Sequence, residues 1–115
     1  MADIGQPDQY GRGEWSATGV GTNAGVTVTH ALTAGAQRAV VTGIEVSGDA
    51  AALITVESPS GTPIYRKRKA AAFDFSEEFE AGLPGAVGQN VLVKISASTS
   101  NCEANIQGFD EGSTS

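Results

Sequence analysis

The chain has 115 residues, which is enough for one domain to bury a core without disulfide staples. Its net charge of -6 argues against general nucleic-acid binding and a polybasic membrane anchor, because both need a surplus of cations. A single cysteine excludes an internal disulfide and any zinc site built on paired cysteines. The apolar residues are mostly Ala and Val, a thin core that favours oligomerisation.

The two ends of the chain differ in pattern from the middle. Residues 1–13 are polar, contain Pro7 and show no periodicity, so they predict a flexible N-terminal arm. Residues 110–115 predict a flexible C-terminal tail for the same reason. Residues 14–109 form the predicted folded domain.

Within that domain, apolar and polar residues alternate with period two, and no helical period of 3.6 occurs. On one such strand Val40, Ile44 and Val46 share a face. Gly48-Asp49 predicts a hairpin, and Ser58-Pro59-Ser60-Gly61 predicts a β-turn. Eight strands are predicted, over residues 14–20, 26–33, 40–47, 52–57, 62–68, 73–80, 91–98 and 102–107. Eight short strands without helices predict an all-β fold, an antiparallel jelly-roll-like β-sandwich.

The residues with catalytic potential are few. His30 is the single histidine, and it falls on the apolar face of its strand, as a satisfied core or interface histidine does. Cys102 also falls on an inward face, where a thiol packs as a small apolar group. Glu77 and Glu78 are adjacent and point to opposite faces of a strand, so they do not form a glycosidase pair. We therefore predict no catalytic residue, no cofactor and no metal site.

The segment Arg66-Lys67-Arg68-Lys69 holds four of the chain's seven Lys and Arg residues. The next strand is acidic, with Asp74, Glu77, Glu78 and Glu80. One interpretation pairs the two segments across a hairpin at residues 70–72, with opposite charges facing each other. The other interpretation makes the basic segment a docking patch for an acidic partner.

Trp15, the single tryptophan, also has two interpretations. A sandwich poor in aromatic residues often uses its tryptophan to fill the core, and this is the interpretation we favour. An exposed Trp15 would instead form a platform for stacking sugars, a role for which Tyr10, Tyr65 and Phe109 are the other candidates.

Two stretches carry a family resemblance, residues 41–68 (VTGIEVSGDAAALITVESPSGTPIYRKR) and residues 91–108 (VLVKISASTSNCEANIQG). Over residues 20–109 the sequence resembles small β-sandwich virion proteins of tailed bacteriophages, in particular trimeric capsid decoration (cement) proteins. The similarity lies in the Val/Thr/Ser/Ala alternation, the Ser-Gly-Asp link between strands and a last strand that ends in Gly-Phe.

The resemblance implies a structural protein that binds the major capsid protein as a homotrimer on the capsid surface of the virion, after synthesis in the host cytoplasm. It implies no nucleic-acid or membrane partner and no enzyme activity. An alternative is a carbohydrate-binding or receptor-binding module of a virion tail or fibre. The candidate partner-binding residues lie in or near the arm and in the basic segment: Gln9, Tyr10, Arg12, Trp15, Arg66, Lys67, Arg68 and Lys69.

Overall fold

A computed structural model describes residues 13–22, 25–32, 37–96 and 101–112. These residues contain eight strands and no helix, so the predicted all-β fold is confirmed. The strands are β1 (Gly13–Gly21), β2 (Val26–His30), β3 (Gln37–Gly48), β4 (Ala52–Glu57), β5 (Pro63–Lys69), β6 (Phe73–Pro84), β7 (Val91–Ile95) and β8 (Cys102–Gly112). No helix in the described part of the chain is long and apolar enough to cross a membrane.

The strands form two antiparallel four-stranded sheets. Sheet A has the order β1-β8-β3-β6, and sheet B has the order β2-β7-β4-β5. Eight strands divided in this way between two sheets have the jelly-roll arrangement. Each sheet ends in two edge strands, β1 and β6 in sheet A and β2 and β5 in sheet B, and each edge strand is paired on one side only.

The core fills the space between the two sheets. Period-two alternation sends every second side chain inward, which is why short strands of Val, Ile and Ala are sufficient to build it. On β8 the inward residues Cys102, Ala104 and Ile106 are buried as predicted. The largest fully buried side chains are Ile44, Ile54, Ile95, Ile106, Val41, Val56, Val91 and Val93.

The hairpin predicted at Gly48-Asp49 is wrong. β3 belongs to sheet A and β4 to sheet B, so this link carries the chain from one sheet to the other. A short turn signal indicates that the chain reverses direction. Which strand then pairs with β4 depends on packing in the core, which the turn residues do not specify. The turn at Ser58–Gly61 does join two paired strands, β4 and β5, and Thr62 N donates to Pro59 O at 2.9 Å.

One face assignment on β3 is also wrong. The register shifts between Val41 and Gly43, so the strand carries an irregularity at Thr42. The shift moves the inward positions from Ala39 and Val41 to Ile44 and Val46. Val40 is therefore buried outside the core cluster and does not share a face with Ile44.

The predicted C-terminal tail is corrected in part. β8 continues to Gly112, and Asp110 is only 6% exposed. Asp110 pairs with Gly13 of β1 and with Ala39 of β3, so residues 110–112 belong to the sandwich. Residues 1–12 and 113–115, the rest of the predicted arm and tail, lie outside the described residues.

Candidate functional site

The basic segment lies on β5, the edge strand of sheet B. Lys67 and Lys69 pair with the core-facing residues Ile54 and Ala52 of β4, and they therefore point toward the inside of the sandwich. Their ammonium groups lie 5.3 Å and 4.8 Å from the centre of the Phe75 ring. At this distance the negative face of the ring attracts the cation, so both charges have an aromatic partner inside the open side of the sandwich.

Arg66 and Arg68 occupy the alternate positions on the same strand. They pair with Thr55 and Leu53 and are exposed on the outer face of sheet B. The four predicted partner-binding cations are thus divided: the two arginines point to the outer face of sheet B, and the two lysines point toward Phe75, with Lys67 exposed and Lys69 half-buried. Period-two alternation accounts for this division, because successive side chains of a strand point to opposite faces.

The acidic segment lies on β6, the edge strand of sheet A. β6 pairs with β3 and β5 pairs with β4, so the cross-strand pairing predicted between β5 and β6 is not made within the chain. Asp74 and Glu78 pair with Ser47 and Gly43 and are exposed on the outer face of sheet A.

Contacts across the open side of the sandwich bring β5 and β6 together without a shared ladder. The rings of Tyr65 and Phe79 meet edge to face with centroids 5.1 Å apart, and Tyr65 Oη donates to Glu77 Oε1 at 3.4 Å. Burial and the neighbouring Glu77 charge both raise the pKa of Tyr65. The two edges therefore lie on the same lateral side of the molecule, and no other strand of the described residues pairs with them there.

Trp15 lies at the opposite lateral side, half-buried and packed against the core. Its indole stacks on the imidazole of His30, and its Nε1 donates to Asp110 Oδ1 at 2.9 Å. His30 Nε2 contacts the same carboxylate at 2.9 Å and 3.1 Å. The prediction that His30 has a hydrogen-bonding partner is confirmed. Trp15 packs against the core and also contacts β2 through His30.

Two open depressions mark the outer face of sheet A. The first, of about 530 Å³, is lined by hydroxyl, amide and carboxylate groups from β1, β8, β3 and β6, together with Val46 and Phe75. The second, of about 430 Å³, is lined by Phe109, Glu14, Gln107 and their neighbours on β1 and β3, Trp15 among them. Both follow the outward side of β8, where sequence alternation alone gave no sign of a concave surface.

The outer face of sheet B carries one buried acid, Glu57, which is 5% exposed. Its carboxylate accepts hydrogen bonds from Gly61 N at 2.8 Å and Thr55 Oγ1 at 2.9 Å. The Gly61 hydrogen bond lowers the pKa of Glu57, and Thr55 and the nearby Lys94 lower it further, against the opposing effect of burial. This carboxylate stabilises the β4–β5 turn by accepting the hydrogen bond from Gly61 N.

The single thiol, Cys102, is 3% exposed. Burial raises its pKa, and the negative charge of Asp49 raises it too, against a hydrogen bond from the Gly21 backbone. A buried, protonated thiol is a packing group, as the sequence predicted. Among the described residues, no group of three or more His, Cys, Asp and Glu side chains is arranged to hold a metal ion.

Three of the predicted partner-binding residues, Gln9, Tyr10 and Arg12, lie outside the described residues. The described ones fall on the two lateral sides of the sandwich: Trp15 on one, Arg66 to Lys69 on the other. No family model matches the chain, and no curated protein matches it.

Proposed function

We propose that this protein is a structural protein of a bacteriophage particle that decorates the capsid by binding the major capsid protein as an oligomer. The sequence resemblance over residues 20–109 supplies the family, and it implies a trimer on the capsid surface. The chain would be synthesised in the host cytoplasm and function in the virion. The proposal includes no enzyme activity.

The observation that carries the proposal is the set of unpaired sheet edges. Each of the four edge strands, β1, β6, β2 and β5, has a row of backbone N–H and C=O groups with no partner strand among the described residues. An extended segment of a neighbouring protein can add to such an edge and gain main-chain hydrogen bonds without a deep pocket. Many copies on one shell then multiply weak contacts into firm attachment.

An assembly experiment tests this proposal. Purified protein is mixed with undecorated phage shells, and the bound fraction is measured by sedimentation together with the temperature at which the shells rupture. We expect saturable, stoichiometric binding and a raised rupture temperature. A variant that lacks residues 1–12 tests whether the arm contributes to the grip. Protein that binds neither heads nor tails would rule the proposal out.

The carbohydrate-binding alternative is favoured by the second depression on sheet A. Phe109 lies there beside Gln107 and Glu14, an aromatic residue with hydrogen-bonding neighbours, the combination that sugar sites use, and Trp15 also lines the depression. However, one face of Trp15 is already covered by His30. Titration of the tryptophan fluorescence with a panel of glycans, in the parent and in Phe109→Ala, tests it: an unchanged signal would exclude a sugar at this depression.

A further inference from the structure

The β5 and β6 edges carry opposite charges that form no ion pairs among the described residues. β5 displays Arg66 and Arg68 on its outer face, and β6 displays Asp74 and Glu78 on its own. Among the described residues the ion pairs are His30–Asp110 and Arg38–Glu111, so none of these four side chains has an ion-pair partner in that part of the chain. Opposite charges therefore lie on the same lateral side of the molecule, on the outer faces of different sheets.

The same charges determine which edge strands of two copies can pair side by side. Two β5 edges repel each other, and so do two β6 edges, because like charges directly across a ladder are destabilising. Charged edges of one sign are a common device against edge-to-edge association. A β5 edge beside a β6 edge of another copy is attractive instead, so the charge pattern selects the mixed contact and excludes the two like contacts.

The geometry of the sandwich permits that mixed contact in a closed ring. β5 and β6 lie on the same lateral side, and the short link over residues 70–72 reverses the chain between them. Rotation about an axis parallel to the strands keeps strand directions unchanged. It therefore brings β6 of one copy antiparallel beside β5 of the next. A cyclic trimer needs two different, complementary surfaces on each subunit, and these two edges are such a pair.

We propose that the subunits of this protein associate through β5 and β6, with the Arg66 and Arg68 edge of one copy against the Asp74 and Glu78 edge of the next. The occupant of the charged edge is thus a second copy of this chain. The number of copies in the ring, three, rests on the function proposed above, whereas the contact itself rests on charge, edge pairing and geometry. The pairing that the sequence predicts inside the chain is made between chains.

A charge-exchange experiment tests the contact. One variant carries Arg66→Glu and Arg68→Glu, and the other carries Asp74→Lys and Glu78→Lys. We expect the parent to be oligomeric by light scattering and native mass spectrometry, and each variant alone to lose the oligomer because its edges now repel. A third variant combines all four substitutions, so that its β5 edge is negative and its β6 edge positive. Every β5–β6 contact is then attractive in a ring of any size, and the oligomer is expected to return.

A matched control changes the same number of charges elsewhere. Glu45→Lys with Glu103→Lys alters the exposed outer face of the central strands β3 and β8, and this protein is expected to keep the parent mass. All substituted side chains are exposed, and circular dichroism verifies that each variant is folded. Raised salt should weaken the parent oligomer, since screening shortens the reach of exposed charges.

Three outcomes would overturn the inference: a parent that is monomeric at every concentration, double variants with the parent mass, or a variant with all four substitutions that does not recover that mass. The shell-binding assay on the same samples separates this from the proposed function. A monomer that binds shells leaves the function standing and removes the contact. If the parent is oligomeric and the double variants are monomeric, but the parent does not bind shells, the contact stands and the proposed function is removed.

Discussion

Trp15 and His30 stack face to face, with ring centroids 3.9 Å apart and planes inclined by 11°. Trp15 belongs to β1 of sheet A and His30 to β2 of sheet B, so this single contact bridges the two sheets at one lateral side. Asp110 of β8 contacts the Nε1 of one ring and the Nε2 of the other. One buried carboxylate therefore holds three strands together.

Asp110→Asn is expected to destabilise the fold by about 1–3 kcal/mol, because a neutral amide replaces the carboxylate that contacts the half-buried rings of both Trp15 and His30. Urea unfolding followed by tryptophan fluorescence measures the loss, and the native emission of Trp15 should shift as well. Asp49→Asn is the matched control, since Asp49 is exposed and its side chain makes no ion pair within the described residues. Equal stability of the two variants would contradict the role given to Asp110.

Glu57→Gln is expected to cost about 1–3 kcal/mol at neutral pH through weaker hydrogen bonds to Gly61 and Thr55. The folded-state pKa of Glu57 lies below its usual 4.5, so the stabilisation is complete above about pH 4.5. It is lost as the pH falls through the lowered pKa, because the unfolded chain then binds the proton more readily.

Unfolding curves of the parent and of Glu57→Gln between pH 2 and pH 7 measure this difference. The two proteins should differ at the upper end of the range and converge in acid. Glu103→Gln, an exposed carboxylate on β8, serves as the control and should track the parent. A difference that grows toward low pH would show that the sign of the linkage is wrong.

Gly108→Ala is expected to destabilise the protein by roughly 3 kcal/mol or more, because overpacking at a buried site has no room to relax. A Cβ at Gly108 would overlap the carbonyl oxygen of Val40 on β3, and it would come within 3.0 Å of the Trp15 indole. Thermal unfolding by calorimetry provides the measurement. Gln107→Ala, the exposed neighbour on the same strand, should leave the transition nearly unchanged.

The thiol of Cys102 is expected to react slowly with a disulfide reagent at pH 8 in the native protein and fast in denaturant. Burial keeps the thiol out of reach, and its raised pKa keeps the thiolate fraction low. The thiol introduced by Ser16→Cys on the exposed side of β1 should react rapidly in the native state. Comparable native rates at the two positions would show that Cys102 is accessible.

Period-two alternation was sufficient to predict the eight strands and the inward faces of β2 and β8. Val26 and Val28 alternate with Thr27 and Thr29, and each pair lies on the expected side. This works because the pleat itself sends successive side chains to opposite faces. The local pattern contains all the information needed for that result.

The sheet to which each strand belongs was not predictable in the same way. Gly48-Asp49 looks like a hairpin turn, but β3 and β4 lie in different sheets, because a reversal of the chain does not specify its hydrogen-bond partner. The irregularity near Thr42 exchanges the faces of β3 halfway along, and it reverses the expected position of Val40. Both features depend on contacts with distant strands.

The candidate site was predicted in outline and corrected in detail. The sequence singled out Arg66 to Lys69, and the structure assigns alternate members to opposite sides of β5. Trp15 and His30 were each assigned inward positions, but their stacking and their shared carboxylate were not foreseen. Asp110 lies 95 residues from Trp15 and 80 from His30, a separation that no local pattern reports.

The adjacency of β1 and β8 has a consequence for how the chain is made. β8 pairs with both β1 and β3, so sheet A has a gap until the last of the eight strands is available. Ribosomes add about 5–20 residues per second, so roughly 5–20 s pass between the synthesis of β1 and the synthesis of β8. During this interval the backbone N–H and C=O groups of β1 lack the strand with which they pair in the folded sheet. We expect the domain to fold slowly and after synthesis, and nascent chains stalled before β8 to depend on chaperones.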